Sequence, residues 1–172
     1  MTAPGKLWLP VLLTLASTFP LHAKVISLSL EELIKQAELI VVAKVEKVSS
    51  PIDDKRYAEA KVTEVWKGAQ TESVEFLASP TWACDVSDAV KGETVVLFLI
   101  KSKQSRSYQI AHSGRGRMPQ RAVGDRPCAD LYEDIRLPDG ITNLTSEGNA
   151  WIRCVDVPSL KDIVKRQVEK KS

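Results

Sequence analysis

The side chains best suited to nucleophilic or metal chemistry in this chain are three cysteines and two histidines. They are Cys84, Cys128, Cys154, His22 and His112. Their spacing matches no zinc-binding pattern, so we expect no metal site. A catalytic thiol needs a base within hydrogen-bond reach and a third group that orients the base. Cys84 with His112 could supply the first two, but a structural cysteine is the interpretation we favour for Cys84.

The sequence contains none of the short motifs that mark common hydrolases, metalloproteases or nucleotide-binding enzymes. Its adjacent carboxylates are Glu31 with Glu32 and Asp53 with Asp54, and they fall where a helix start and a turn are predicted. We interpret them as capping and turn residues. The prediction is a protein that is not an enzyme and uses no cofactor, with a secreted thiol enzyme or hydrolase as the alternative.

Residues 1–23 have the pattern of a secretory signal peptide. Lys6 gives a short positive region, and residues 7–18 form an apolar segment that is too short to span a bilayer as a mature helix. The predicted signal peptide ends on Ala23, a small residue of the kind found at cleavage sites. We predict export to the periplasm or the extracellular space, no membrane span, and a mature chain over 24–172 that forms a single domain.

The elements that would position the chemical side chains are mostly short strands. Five segments alternate apolar and polar residues or are apolar throughout. These predicted strands are residues 38–49, 56–66, 73–78, 94–100 and 107–111. The alternation slips near Val48 and near Val65, which predicts bulges of the kind that bend long strands around a barrel. Because no helix fits between these strands, we predict a mainly β protein with a small five-stranded barrel.

Two helices are predicted at the ends of the mature chain. Ser29 and Glu32 form a capping-box pattern before a short helix over 30–38. A second helix is predicted over 157–170, with Pro158 in its first turn. Both segments place their apolar residues on one face, so each helix is expected to pack against the strands.

Between the barrel and the second helix we predict an extension over residues 113–156. Its first part, 114–127, is polar and rich in glycine and arginine, and it is predicted to be a loop. Residues 130–137 and 150–155 are predicted to pair as a hairpin. The extension therefore consists of a loop followed by an extra hairpin.

The predicted hairpin bears on how the three cysteines pair. Export makes a disulfide plausible, and an odd count leaves one thiol over. Cys128 and Cys154 are equally distant from the centre of the hairpin, which favours a bridge between them and leaves Cys84 as the odd thiol. The competing pairing joins Cys84 to one of the other two cysteines.

Residues 101–127 carry two lysines and five arginines against a single acid, Asp125. Within this stretch Arg115, Arg117 and Arg121 could form a patch for an acidic partner, because each guanidinium offers a fork of donors to a carboxylate or phosphate. A solvated loop is the simpler interpretation, and we favour it.

Two blocks of the sequence resemble a known superfamily. Residues 58–68 read A-E-A-K-V-T-E-V-W-K-G, and after Cys84 residues 90–100 read V-K-G-E-T-V-V-L-F-L-I. Together they resemble the tissue-inhibitor-of-metalloproteinase and netrin-type (NTR-like) superfamily, especially its bacterial relatives, over residues 28–112. The resemblance implies that the barrel is of the oligonucleotide/oligosaccharide-binding (OB) type.

The resemblance also introduces inhibition of a secreted protease as an alternative function. Tissue inhibitors of metalloproteinases place an N-terminal cysteine on the catalytic zinc of the protease. Here the predicted N-terminus is Lys24, and no cysteine precedes Cys84, so this chain departs from that arrangement.

Nucleic-acid binding, which many OB barrels perform, is not predicted. Trp66, Trp82 and Tyr108 are candidate stacking residues, but they are equally suited to a core, and export removes the usual nucleic-acid partners. The formal charge of +2 provides no general attraction to polyanions. The function we predict is an exported, non-catalytic OB-like module that binds another envelope or extracellular protein, whose identity the sequence does not indicate.

Overall fold

The computed structural model describes residues 28–51, 53–81, 85–103, 105, 107–144 and 152–170. The predicted signal peptide, Trp82 and Cys84 lie outside the described residues. Within them the chain is mainly β. The strands are β1 Leu28–Ser29, β2 Leu39–Val48, β3 Tyr57–Lys67, β4 Ser73–Leu77, β5 Thr94–Lys101, β6 Tyr108–Ile110, β7 Arg117–Val123, β8 Arg126–Tyr132, β9 Ile135–Arg136, β10 Asn143–Leu144 and β11 Ile152–Asp156. The helices are α1 Leu30–Gln36 and α2 Val157–Glu169.

Five of these strands close into the small OB-like barrel that the sequence predicts. Around the barrel the order is β2, β3, β4, β6, β5 and back to β2, and only β4 and β6 run parallel. The register of β2 against β3 shifts between Val45 and Lys47, and again where Ile40 faces Lys67 but Val41 faces Val65. Both predicted bulges are therefore present, and they bend the two longest strands around the barrel.

Strand β5 pairs both with a strand of the barrel and with a strand outside it. Its residues 99–101 pair with β6 and close the barrel, whereas residues 95–97 pair on the same edge with β7. Between them the Phe98 N–H donates to the Gly116 carbonyl at 2.8 Å, and the Phe98 carbonyl accepts from the Ala111 N–H at 2.9 Å. The connection from β6 to β7 is thus a tight turn held against the middle of β5.

The segment predicted as a loop over 114–127 instead contains the strand β7. The prediction was wrong because it relied on polar composition, and this strand is polar for another reason: most of its side chains are exposed or half-exposed. The edge of β5 supplies its hydrogen-bond partners, and Met118 is fully buried. The turn Gly124-Asp125 then joins β7 to β8 as a tight hairpin.

The predicted pairing of 130–137 with 150–155 is present as β8 against β11, with Asp130 opposite Cys154. The two strands are not joined by a tight turn, because β9 leaves to pair with β1 and β10 pairs with β11. The predicted Cys128–Cys154 disulfide links β8 to β11, with Cα atoms 5.6 Å apart. Strands β7, β8, β11 and β10 form what we call the outer sheet.

Two hydrophobic cores lie on opposite faces of the barrel wall. The barrel core fills the interior, and the outer core lies between the wall, the two helices and the outer sheet. Along β5, Val95 and Leu97 belong to the barrel core, while Val96 and Phe98 belong to the outer core. Val96 and Phe98 are fully buried, and the two-sided burial explains why β5 is apolar throughout.

Helix α1 begins with the predicted capping box. The Glu32 N–H donates to the Ser29 hydroxyl at 3.1 Å, and the Ser29 N–H donates to the Glu32 carboxylate at 2.8 Å. The helix ends at Gln36, two residues before the predicted end, because Ala37 has an extended backbone. The capping box confirms the start of the helix, and the end was not readable from the periodicity.

The Trp66-Lys67-Gly68 end of β3 attaches α1 to the barrel. The Lys67 ammonium donates to the Ile34 carbonyl at 2.7 Å and so satisfies part of the helix C-terminus. Gly68 has φ +95°, and a Cβ there would lie 2.7 Å from the Glu38 carbonyl oxygen. Trp66 is buried in the outer core. This motif, which carries part of the family resemblance, therefore serves to pack the helix.

Helix α2 matches the predicted C-terminal helix. Asp156 is its N-cap and accepts from the Ser159 N–H at 3.1 Å, with Pro158 in the first turn. Neither helix of the described residues has the length and apolar character needed to cross a membrane.

Candidate functional site

Two neighbouring cavities form a groove along the parallel strands β4 and β6. The larger, which we call the His112 cavity, has a volume of about 270 Å³. The smaller, the Lys55 cavity, has a volume of about 100 Å³. Leu77 and Gln109 line both cavities and face each other in the parallel register. We refer to the two cavities together as the β4–β6 groove.

The His112 cavity is walled by the turn through which the chain leaves the barrel. His112, Ser113 and Gly114 have φ of 50°, 52° and 87°, a left-handed conformation that non-glycine residues rarely adopt. The Val86 N–H donates to the Ser113 carbonyl at 3.0 Å. A Cβ on Gly114 would lie 2.3 Å from the Ser87 nitrogen, so glycine is required for this contact. The turn and the segment before β5 therefore form one closely packed wall.

Asp85 is buried in that segment, and its carboxylate is occupied by internal donors. One oxygen accepts from the Thr81 N–H at 2.9 Å and from the Thr81 hydroxyl at 2.7 Å, and the other accepts from the Ser87 N–H at 2.8 Å. Burial alone raises the pKa of Asp85, but the hydrogen bonds from Ser87 and Thr81 outweigh it and hold the pKa below 3.8. Asp85 therefore orders this wall of the cavity and is already fully engaged as an acceptor.

His112 presents an uncharged ring to the cavity. Its Nε2 is buried and has no hydrogen-bond partner within the described chain. Burial lowers the pKa of His112 below 6.5; the Glu32 carboxylate opposes this effect, and the Arg115 guanidinium adds to it. A neutral imidazole is therefore expected at pH 7.

The Lys55 cavity is lined by one cation and several hydroxyl groups: Lys55, Tyr57, Ser102, Ser105 and Ser107. The hydroxyls of Ser105 and Ser107 lie 2.7 Å apart, and the Ser105 N–H donates to the Ser102 hydroxyl at 3.2 Å. Lys55 belongs to the β2–β3 connection, and the serines belong to the β5–β6 connection. In OB barrels these two connections flank the face that binds ligands.

The three arginines of the predicted patch all pair with carboxylates of this chain. The pairs are Arg115 with Asp134 at 2.7 Å, Arg117 with Glu93 at 3.0 Å and Arg121 with Asp130 at 2.9 Å. The Arg117 pair joins β7 to the start of β5, and the Arg121 pair joins β7 to β8. These guanidiniums therefore have internal roles, and the patch for an acidic partner stays a prediction.

The structure brings together Cys128 and Cys154 and places Asp130 beside both sulfurs. Because the sulfurs are bonded to each other, this group is not arranged as a metal site. The proposed odd thiol, Cys84, lies outside the described residues, so its relation to His112 stays a prediction.

Trp82 lies outside the described residues, and the other two aromatic residues considered for stacking are engaged in the cores. Trp66 is buried, and its Nε1 donates to the Glu64 carboxylate at 2.9 Å. Tyr108 packs against the barrel core. Neither side chain is available as an open platform for a base.

Two other cavities, of about 170 and 530 Å³, share Glu31, Pro138 and Asp139 beside α1. The charged side chains that line them are exposed, with no buried ionisable side chain or left-handed non-glycine backbone among the described residues there. The β4–β6 groove contains both, and it is therefore the stronger candidate.

Sequence reasoning missed Lys55, Tyr57, Leu77 and Gln109 as site residues. Lys55 stands in a turn and Leu77 and Gln109 in short strands, where they look unremarkable. The one available signal was their place in the barrel order, next to the two connections that flank an OB ligand face.

The fold and the groove together define an OB-like barrel with a ligand-sized groove at the customary end. No protein-family model and no curated protein matches the chain. Function must therefore be inferred from the barrel and its groove.

Proposed function

We propose that this chain is an exported, non-catalytic OB-like module that binds a segment of another envelope or extracellular protein in the β4–β6 groove. The observation that carries the proposal is the groove itself, two polar cavities that meet at the Leu77–Gln109 pair. A groove built on paired strands is preorganised, so little entropy is lost when a partner binds.

The buried polar groups of the groove favour binding over catalysis. The Asp85 carboxylate is occupied by Thr81 and Ser87, so it is not available as a general base. The His112 Nε2 is buried and has no hydrogen-bond partner among the described residues, so no described nucleophile is paired with it. These groups line the cavity without forming a nucleophile–base pair in the described part of the chain.

An extended peptide segment suits two cavities placed side by side. In an extended chain alternate side chains point to the same face, so two of them can enter neighbouring subsites while the backbone crosses between. Here Leu77 and Gln109 form the ridge between the two subsites. The amide of Gln109 can both donate to and accept from a peptide backbone.

A matched pair of variants tests this proposal. Gln109→Arg places a long cation at the centre of the groove, and Gln70→Arg makes the same change at an exposed position after β3. The wild type and Gln70→Arg should retain one partner in affinity capture from the envelope and secreted fractions, and Gln109→Arg should lose at least tenfold of it. Equal melting temperatures of the two variants control for folding. Equal capture of the partner by the wild type and by Gln109→Arg contradicts the proposal.

A secreted thiol enzyme or hydrolase is the second candidate. Thr81 and Asp85, which flank Cys84 in sequence, line the same cavity as His112. A catalytic Cys84 should show a depressed thiol pKa in iodoacetamide labelling, and His112→Asn should raise it. An unreactive Cys84 whose labelling is unchanged in His112→Asn excludes this candidate and favours the binding module.

Inhibition of a secreted protease rests on the family resemblance alone. The predicted N-terminus at Lys24 lies outside the described residues. Titration of the purified protein against a panel of secreted metalloproteases tests it directly, and the absence of inhibition at micromolar concentration removes it.

A further inference from the structure

Lys55 differs from several arginines near it in the fold. Arg117 of the outer sheet is paired with Glu93, and Arg56, the next residue of the β2–β3 connection, is paired with Asp88. Lys55 is exposed, lines the cavity and has no ion-pair partner in the part of the chain that the structure describes. A cation beside a cavity without a counter-charge favours an anionic ligand there.

The rest of the lining offers further donors and no competing anion. Tyr57 and three serines contribute hydroxyl groups, and no carboxylate lines the cavity. Hydroxyl groups can rotate to donate to an oxyanion. The Ser105 and Ser107 hydroxyls, 2.7 Å apart, are already close enough to bind two oxygens of one anion.

The surroundings of the cavity are positively charged. Lys101 at the end of β5 and Lys103 in the β5–β6 connection lie on either side of Ser102 in sequence, and the connection contains no acidic residue. Asp53 and Asp54 lie on the β2–β3 connection, but neither lines the cavity. The local field therefore favours an anion at the cavity mouth.

We propose that the Lys55 cavity is a subsite for a carboxylate carried by the bound segment, either an acidic side chain or a chain terminus. This inference rests on the proposed binding function and names the chemistry of the partner. One ammonium matches the single charge of a carboxylate, and the small cavity, about 100 Å³, accommodates such a group without the rest of the peptide. The neighbouring His112 cavity, whose ring is neutral, receives an uncharged side chain of the same segment.

The test uses short peptides as probes and amide NMR shifts of the full mature chain as the readout. The first probe is acetyl-Ala-Ala-Glu-Ala-Ala-amide, the second has Gln in place of Glu, and the third is the Gln peptide with a free C-terminal carboxylate. Inorganic phosphate is a fourth, separate probe. Shifts are followed at the amides of Ser105, Ser107 and Gln109.

The Glu peptide or the free-acid peptide should bind about twofold to fivefold more tightly than the neutral Gln peptide, the range expected of one exposed ion pair. Which of the two prevails identifies the source of the carboxylate. Lys55→Gln should abolish this preference, whereas Lys61→Gln, an equivalent change on the exposed face of β3, should leave it intact.

Equal binding of all three peptides at these amides overturns the carboxylate subsite and leaves the binding groove standing. Shifts caused by phosphate alone also overturn it, because the cavity then selects a different anion. The absence of any shift overturns both the subsite and the proposed function. Carboxylate-dependent shifts together with partner capture that ignores Gln109→Arg support the subsite and reject the protein-binding groove.

Discussion

The outer layer and the β4–β6 groove use polar side chains in opposite ways. In the outer layer the polar groups that cross between segments are paired: Arg117 with Glu93, Arg126 with Asp156, and Lys67 with the end of α1. These contacts attach the helices and the outer sheet to the barrel. Removing one partner of a buried pair such as Arg117 with Glu93 would leave a poorly solvated charge, so these contacts stabilise the fold.

The groove differs in two of its side chains. The His112 Nε2 is buried without a hydrogen bond among the described residues, as are Gln120 Nε2 and Arg153 Nε in the outer sheet, and the exposed Lys55 lines a cavity without an ion-pair partner among the described side chains. A buried polar atom without a hydrogen bond costs stability, and natural proteins retain such atoms mainly where they serve function. The comparison shows that the arginines noted in the sequence, such as Arg117 and Arg121, join strands of the outer layer, whereas Lys55, which the sequence analysis did not single out, lines the candidate site.

The largest effect should come from the core that joins the two layers. Phe98→Ala should lower the free energy of unfolding by about 3–5 kcal/mol, because Phe98 is fully buried in the outer core. Leu97→Ala, in the barrel core, is the matched change on the other face of β5 and should cost about 2–5 kcal/mol. Urea unfolding followed by far- and near-ultraviolet circular dichroism measures both. A loss below about 1 kcal/mol for Phe98→Ala would mean that the outer layer is not part of the cooperative unit.

The disulfide should contribute about 3 kcal/mol, the amount expected for a closed loop with a sequence separation of 26 residues. Replacing both Cys128 and Cys154 by alanine should lower the free energy of unfolding by that amount and leave groove binding unchanged. Non-reducing peptide mapping of the wild type should show Cys84 outside the bridge. Finding Cys84 in the bridge would contradict the pairing seen in the structure.

The stability lost when an ion pair of the outer sheet is broken should depend on how buried the pair is. Arg117 and Glu93 are only 16% and 12% exposed, so Arg117→Met should cost about 1–3 kcal/mol, because the half-buried Glu93 carboxylate would keep only the Val90 N–H as a donor. Arg121 is 40% exposed, and Arg121→Met should cost less than about 1 kcal/mol. Equal losses would show that burial does not separate the two pairs, and a lost partner in either variant would revive the arginine patch as a binding site.

The smallest effect should be the pH dependence caused by His112. Its pKa in the folded state lies below the ordinary value of 6.5, so the unfolded state binds more protons as the pH falls through that value. The wild type should therefore lose stability as the pH falls through 6.5, and His112→Asn, which tolerates the left-handed backbone, should show a shallower slope. Urea unfolding at closely spaced pH values between about 5.5 and 7.5 measures this. Identical slopes would mean that burial does not perturb His112.

Much of the barrel was predictable because its signals are local. The capping box at Ser29, the phase slips near Val48 and Val65, and the two-sided apolar run of β5 each depend on a few neighbouring residues. The Cys128–Cys154 bridge was also accessible, since antiparallel pairing brings residues together symmetrically in sequence.

The strand β7 and the groove were not predictable in this way. The polar segment of β7 becomes a strand because the edge of β5 offers it hydrogen bonds, and residues 95–97 of that edge are open because β6 pairs only with residues 99–101. Arg115, Arg117 and Arg121 likewise look available until the outer sheet brings their carboxylates to them.

The sequence by itself indicated the five barrel strands, the starts of both helices and the apolar faces of these elements, and it favoured the Cys128–Cys154 bridge while leaving a pairing with Cys84 open. Only the tertiary structure decided that Leu77 and Gln109 become neighbours, and with them the two cavities of the groove. The physical reason is that β4 and β6 meet through a parallel pairing between strands distant in sequence, which closes the barrel. Side-chain periodicity records the face on which a residue lies, but it carries no information about which distant strand will lie beside it.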